Sequence, residues 1–192
     1  MERVNEQRLL QRLRLGDTEA FAGLYRANAQ AVYRYIAFRV NDARLAEDLT
    51  GDVFIRAFKS IGSYQDQGKP FIAWLYRIAH ARVVDHYRQQ DRRPASTPLD
   101  DEPLEASGDM DANLLQRQAS NVLREAISDL TDEQQQVIIL RFIEGQRIEM
   151  VAQQMGKNAN AIKALQHRAL HALAVRLERA GFDIETVLAG MA

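Results

Sequence analysis

The chain has 192 residues, 46% of them hydrophobic and 27% charged, with a formal net charge of -1. That length suits one domain or two small ones, and the lack of cysteine excludes disulfides, thiolate zinc sites and direct thiol redox sensing. No run of ~18 apolar residues occurs and the N-terminus is polar, so neither membrane insertion nor a secretory leader is expected, and a cytoplasmic protein is favoured.

Leu9, Leu10 and Leu13 form a first apolar stripe that ends near Gly16. Asp17 or Thr18 is placed to cap a second helix carrying Phe21, Leu24, Tyr25, Val32 and Ile36 at helical spacing. A third helix is predicted from Ala43 to Ser60, with Leu45, Leu49, Val53, Phe54 and Phe58 as its apolar positions. A polar turn, Tyr64 to Lys69, follows. Pro70 then stands where a first helical residue belongs, and the next helix is expected to reach about Arg93, with Phe71, Trp74, Leu75, Ile78 and Tyr87.

Charge is sorted along the chain. Residues 1–93 hold 16 Lys+Arg and 11 Asp+Glu, residues 94–115 hold six acids and no base, and residues 116–192 hold nine of each. The middle segment also carries Pro94, Pro98 and Pro103, a composition that predicts an extended or flexible linker.

Beyond it, Leu115 to Leu130 is amphipathic, and Thr131 with Gln134 forms a capping box for a helix burying Val137, Ile138 and Leu140. Gly145 is expected to end that helix. Ile148, Val151, Ala152 and Met155 make one further short helix. After Gly156 comes a longer one, with Ile162, Ala169 and Leu173 inward and Leu165 and Leu177 at the edges. No segment alternates with period two. The predicted fold class is therefore all-α: two small helical domains joined by an acidic flexible linker, the C-terminal one a helix-turn-helix. The boundaries are 1–93, a linker over 94–115, a second domain over 116–178 and a tail over 179–192.

From Met150 to Leu177 there are four bases, two histidines and no acid. A duplex repels carboxylates and attracts Lys and Arg, so an acid-free helix after a glycine turn suits the reading half of a helix-turn-helix. On a helical wheel the outward arc holds Asn160, Lys163, Ala164, His167 and His171, with Arg168 at its flank. Asn, Lys and His can bond base edges, and Ala can touch a thymine methyl. Lys157, Arg168 and Arg176 are better placed for phosphates. His167 and His171 lie four apart but lack a third ligand nearby, so no metal site is expected.

A second cluster combines the rings of Tyr64, Phe71, Trp74, Tyr76 and Tyr87 with Lys69, Arg77, Arg82, Arg88, Arg92 and Arg93. Rings beside cations suit single-stranded nucleic acid, since bases stack while cations follow the backbone. Core packing is the alternative for Phe71, Trp74 and Leu75, and Trp74 is expected to be partly buried.

Ala46-Glu47-Asp48-Leu49-Thr50, Val53 to Phe58, Phe71 to Ala79 and Asp85-His86-Tyr87-Arg88 closely resemble bacterial RNA polymerase sigma factors of the extracytoplasmic-function (ECF) group, in the sigma-70 family. Gly16 to Phe21 and Leu130 to Leu173 resemble the same group. The resemblance implies a factor that binds the polymerase core and directs it to promoters, without enzymatic activity of its own. It implies docking of Glu47, Asp48, Leu49, Asp52, Val53 and Arg56 on the polymerase clamp coiled coil. It also implies minus-10 recognition and melting by Tyr64, Lys69, Phe71, Trp74, Arg77, His80, Arg82 and Arg88. Minus-35 reading falls to Lys157, Asn160, Lys163, Ala164, His167, Arg168 and His171, with the same domain touching the polymerase flap. The partners implied are thus the polymerase core, promoter DNA both duplex and single-stranded, and an anti-sigma factor; the acidic linker would thread channels built for nucleic acid. Two departures stand out. Ala81 and His80 replace the Asn and Arg frequent in the group, so base contact from position 81 is not expected. Leu165-Gln166 inverts the commoner Arg-then-Leu order, which predicts a rotated or differently read face.

Two other classes compete. A stand-alone helix-turn-helix regulator would need no single-strand chemistry. A hydrolase would need a metal-binding carboxylate cluster, for which only Glu47, Asp48 and Asp52 are dense enough.

Overall fold

The structure, a computed structural model, describes residues 2–40, 42–65, 70–91 and 121–183. The expected linker, Lys69, Arg92, Arg93 and the end of the tail lie outside the described residues. The described residues form helices without a strand. They divide into two compact units, Met1–Ile36 with Arg44–Thr97, and Ala37–Ala43 with Pro98–Ala192.

The first unit contains α1 (Glu2–Arg14), most of α2 (Glu19–Val40), α3 (Ala43–Ser60), a 3-10 turn (Ile61–Ser63) and α4 (Phe71–Asp91). Gly16 turns the chain after α1 with φ +91°. Asp17 then accepts a hydrogen bond from Glu19 N at 3.1 Å, satisfying one of the free donors at the start of α2. α1 lies close on α2: a Cβ at Gly23 would stand 3.0 Å from Leu9 Cδ1. The core gathers Leu10, Leu13, Leu24, Val32, Tyr35 and Ile36 with Ala46, Val53 and Ala57 of α3 and Phe71, Leu75, Tyr76, Ala79 and Val83 of α4. Tyr35 and Tyr76 meet at 5.1 Å between centroids. The start of α4 is held from α1, where the Glu6 carboxylate accepts from Phe71 N at 2.9 Å. A carboxylate there also complements the positive end of the helix dipole.

The second unit's described helical part opens over residues 121–128, here α5. α6 (Asp132–Ile138) starts at the predicted capping box, with both arms made between Thr131 and Gln134; such a cap is worth about 1 kcal/mol. Gln136, Val137, Ile138, Ile139 and Leu140 are all buried. This uninterrupted run of buried positions means that the chain is covered all round from Gln136 to Leu140, while the first turn of α6 stays open to solvent. The helix ends at Gly145 as expected, where φ is +61°, but its last turn is not a plain α-helix. It widens into a π turn, Ile139–Ile143, closed by Glu144 N donating to Ile139 O at 2.9 Å. α7 (Ile148–Met155) ends at Gly156, whose φ of +65° is left-handed and favours glycine. α8 (Ala159–Arg179) begins at Asn158, whose side chain accepts from Ala161 N at 2.8 Å.

Candidate nucleic-acid and polymerase surfaces

α8 buries Ile162, Leu165, Ala169, Leu173 and Leu177. Leu165 and Leu177 are therefore part of the buried face and not its edges, because flanking helices cover a wider arc than the wheel assumed. Leu165 faces inward and Gln166 sits half-buried beside it. Asn160, Lys163, Ala164, His167, Arg168 and His171 are all exposed, and the arc from Asn160 to His171 stays outward as predicted. No carboxylate lies on this arc.

The cations differ in their surroundings. Lys157 is half-buried and pairs with Glu133 at 2.8 Å. Arg176 pairs with Asp129 at 3.1 Å and donates to its backbone oxygen at 3.2 Å. Those two bases join the turn and the end of α8 to neighbouring elements of their own unit. Neither Lys163 nor Arg168 makes such a pair among the described residues.

In the first unit the ring cluster is real but mostly internal. Phe71 is fully buried and Tyr64 nearly so. Tyr64, Phe71 and Trp74 form a triangle with centroid distances of 5.1 to 5.4 Å. Trp74 is half-buried, as expected, so it is the member of the triangle that reaches the surface, and Phe71 supports it from inside. The predicted direct role of Phe71 does not fit its burial. Arg77 and Arg88 are exposed and His80 is half-buried. Arg82 is only 15% exposed in its side chain, and pairs with Asp52 at 2.6 Å and Asp85 at 3.6 Å. It fastens α4 to α3 and offers its charge to carboxylates rather than to solvent.

On α3, Glu47, Asp48 and Arg56 are exposed and Asp52 is half-buried. Leu49 and Val53 are buried. Those two were expected either within their own domain or against the polymerase; they face their own core, because the inward stripe of α3 runs through them. What the sequence reading missed lies beside them. Tyr25, Ile55 and Phe58 are 45%, 55% and 42% exposed. With Phe21, Gly51, Phe54 and Lys59 they line a shallow apolar groove. Its rings meet edge to face, Phe21 with Phe58 at 5.0 Å and Tyr25 with Phe54 at 4.7 Å. The available signal was Ile55, an apolar residue on the otherwise polar side of α3.

Among the described residues no group of three His, Cys, Asp or Glu side chains is placed to hold a metal. No helix among them is long and apolar enough to cross a membrane.

Residues 24–93 match the family model of sigma-70 region 2, and residues 126–174 that of sigma-70 region 4. The ECF RNA polymerase sigma factor BldN of Streptomyces coelicolor is 38% identical over 169 residues. That match covers 86% of this chain and 63% of the relative, so the chain spans somewhat less than two thirds of BldN's length. The ECF RNA polymerase sigma factor SigD of Mycobacterium tuberculosis is 30% identical over 172 residues, covering 86% of this chain and 81% of the relative. The fold is shared with CnrH, solved in complex with the cytosolic domain of CnrY, at a TM-score of 0.68 and 22% identity over 91% of this chain and 98% of that one. It is shared also with RpoE of Bartonella quintana, solved with the anti-sigma factor NepR, at a TM-score of 0.66 and 21% identity over 84% of this chain and 98% of that one. The chain belongs to the ECF group of RNA polymerase sigma factors.

Proposed function

We propose that the protein binds the RNA polymerase core and confers promoter-specific initiation, reading a minus-35 element with α8 and helping to open a minus-10 element with α4 and the turn before it. The observation that carries this reading is the outward face of α8, where Asn160, Lys163, Ala164, His167 and His171 are exposed without an acid among them. Such a face can enter a major groove, where donors and a methyl-sized contact discriminate base pairs. Lys163 and Arg168 supply charge toward phosphates. Lys157 and Arg176 are engaged with carboxylates and act mainly by holding the reader in place.

In the first unit, Trp74 offers a ring on which an unpaired base can stack, and Arg77 and Arg88 supply cations beside it. Each stacked base favours the open strand by about 1–3 kcal/mol. Glu47, Asp48 and the exposed apolar groove provide a polymerase-docking surface of acids next to hydrophobic side chains, with Leu49 and Val53 supporting it from beneath. The segment over 94–115, with six acids and no base, mimics a polyanion within the polymerase channels. The protein performs no chemistry itself; the polymerase makes the phosphodiester bonds. It acts in the cytoplasm and is held in check by an anti-sigma factor, as RpoE of Bartonella quintana is bound by NepR.

Run-off transcription with purified core polymerase and fragmented genomic DNA tests this. Discrete transcripts that require the protein are the expected result. If none form, yet the protein alone retards specific duplexes, it is a stand-alone regulator and the proposal fails.

A further inference from the structure

Gln166 sits outside the outward arc of α8, half-buried between Lys163 and Leu170. Its carbonyl Oε1 accepts from Arg141 Nε at 3.1 Å. A guanidinium has donors only, so the amide oxygen must be the atom that faces it. Arg141 belongs to the π turn, and its Nη1 also donates to the Gln146 backbone oxygen. Gln146 in turn accepts at its side-chain oxygen from Gln154 Nε2 of α7 at 2.7 Å. The π turn brackets this chain, with Gln146 N donating to Leu140 O at 2.9 Å. One arginine thus joins the end of α6, the loop before α7 and the flank of α8, and π turns recur where a helix has been adapted to a function.

From this geometry we infer that Arg141 and Gln166 are positioning residues for promoter reading: Arg141, acting through Gln166, fixes the rotation of α8 and so decides which base edges its outward side chains meet. The inference rests on the promoter-reading function proposed above and deepens it. The leverage is geometric. A rotation of about 20° moves a side-chain tip about 5–6 Å from the helix axis by about 2 Å. Hydrogen bonds to bases span only a few tenths of an ångström around their best length. The apolar contacts of Ile162, Ala169 and Leu173 hold α8 against its neighbours without a directional bond, and the Lys157 and Arg176 pairs tie only the turn before α8 and its C-terminal part. A fixed hydrogen bond on one flank is directional. Arg141 holds Gln166, and Gln166 holds the reader.

The test uses the full chain in holoenzyme, selecting from promoter fragments randomised across the minus-35 element. Wild type is compared with Arg141→Ala, Arg141→Lys, Gln166→Leu and Gln166→Glu. Lysine keeps the charge of Arg141 but not the fork that reaches two acceptors at once. Leucine removes the acceptor while roughly keeping volume, which guards against a variant that fails through a cavity alone. Glutamate keeps an oxygen for Nε.

The expected result is a flattened base preference in Arg141→Ala, Arg141→Lys and Gln166→Leu. The best base loses roughly fivefold against the next at the most sensitive position. The wild-type profile is kept in Gln166→Glu, and the slope of log affinity against log salt is unchanged throughout. A slope reduced by about 1 in Arg141→Ala with the profile intact would mark Arg141 as a plain phosphate contact and overturn the inference. An unchanged profile in Gln166→Leu overturns it as well. Failure of the wild-type holoenzyme to select any sequence would instead remove the promoter-reading function itself, before a variant is tried.

Discussion

α4 and α8 have the same length and a similar richness in bases, yet they present themselves differently. α4 is central in its unit: Phe71, Ala73, Leu75, Tyr76, Ala79 and Val83 are buried, and Arg82 is drawn into a pair of carboxylates on α3 and on α4 itself. α8 gives one stripe to the core and leaves a broad exposed arc with Lys163 and Arg168 outward. The difference teaches that a basic helix is a nucleic-acid surface only to the extent that its cations lack internal partners. On α4 what reaches the surface is the partly buried ring of Trp74, the exposed ring of Tyr87 and a few cations. On α8 the exposed groups are distributed over a face.

The largest effect should come from the face. Lys163→Glu puts an acid into the arc and should lower promoter-specific run-off by roughly 50-fold, a change of the size of one to two wrong base pairs. Circular dichroism should show helix content unchanged, since position 163 is exposed. Loss of helix content instead would mean that Lys163 is structural and would break the comparison.

Next comes the ring. Trp74→Leu keeps an apolar plug against Tyr64 and Phe71 but removes the surface on which a base stacks. Promoter opening, read by permanganate reactivity of unpaired thymines, should fall roughly tenfold, with duplex binding to the upstream element little changed. Equal opening by both proteins would assign Trp74 to the core alone.

Arg82→Gln sharpens the contrast from the other side. Because Arg82 serves Asp52 and Asp85, promoter affinity should move less than about twofold, and stability should fall by less than about 1 kcal/mol, as for a partly exposed ion pair. A tenfold loss of affinity would mean that Arg82 leaves its carboxylates to reach DNA.

The smallest effect is at Asp17. The hydrogen bond from Arg12, at 2.8 Å from its Nε, holds the Asp17 carboxyl below its ordinary value, helped by the Arg12 charge and by backbone donors of the α2 start. A depressed folded value stabilises the fold above the unfolded carboxylate range. That contribution is lost as pH falls through the folded value. Asp17 is partly exposed to solvent, with its side chain 36% accessible, so the change in stability should be slight. An NMR titration of Asp17 in Arg12→Ala should show its value move up toward that of a free aspartate; no movement would assign the shift to the backbone donors instead.

Much of this molecule was legible before any coordinates. The third helix runs from Ala43 to Ser60 as the apolar spacing required. The Thr131–Gln134 box and the Gly156 turn appear where capping chemistry put them. The outward arc of α8 followed from three inward positions and a period of 3.6. Less legible was the surface of α3. Leu49 and Val53 read as contact candidates because a sequence shows that a residue is apolar but not which neighbour covers it. The groove of Tyr25, Ile55 and Phe58 was hidden for the same reason, since its residues resemble core.

By itself, then, the sequence determined the helices, their caps, the acid-free outward face of α8 and the family, because each is written in local spacing or in contiguous motifs. Only the tertiary structure decided which charges are already engaged. Arg82 with Asp52 and Arg176 with Asp129 pair across 30 and 47 positions of chain. It also decided that α6 would widen into a π turn and that Arg141 would reach Gln166 across 25 positions. Pairing between elements depends on distance in space and on what else covers each group, and neither quantity is carried by any short stretch of sequence.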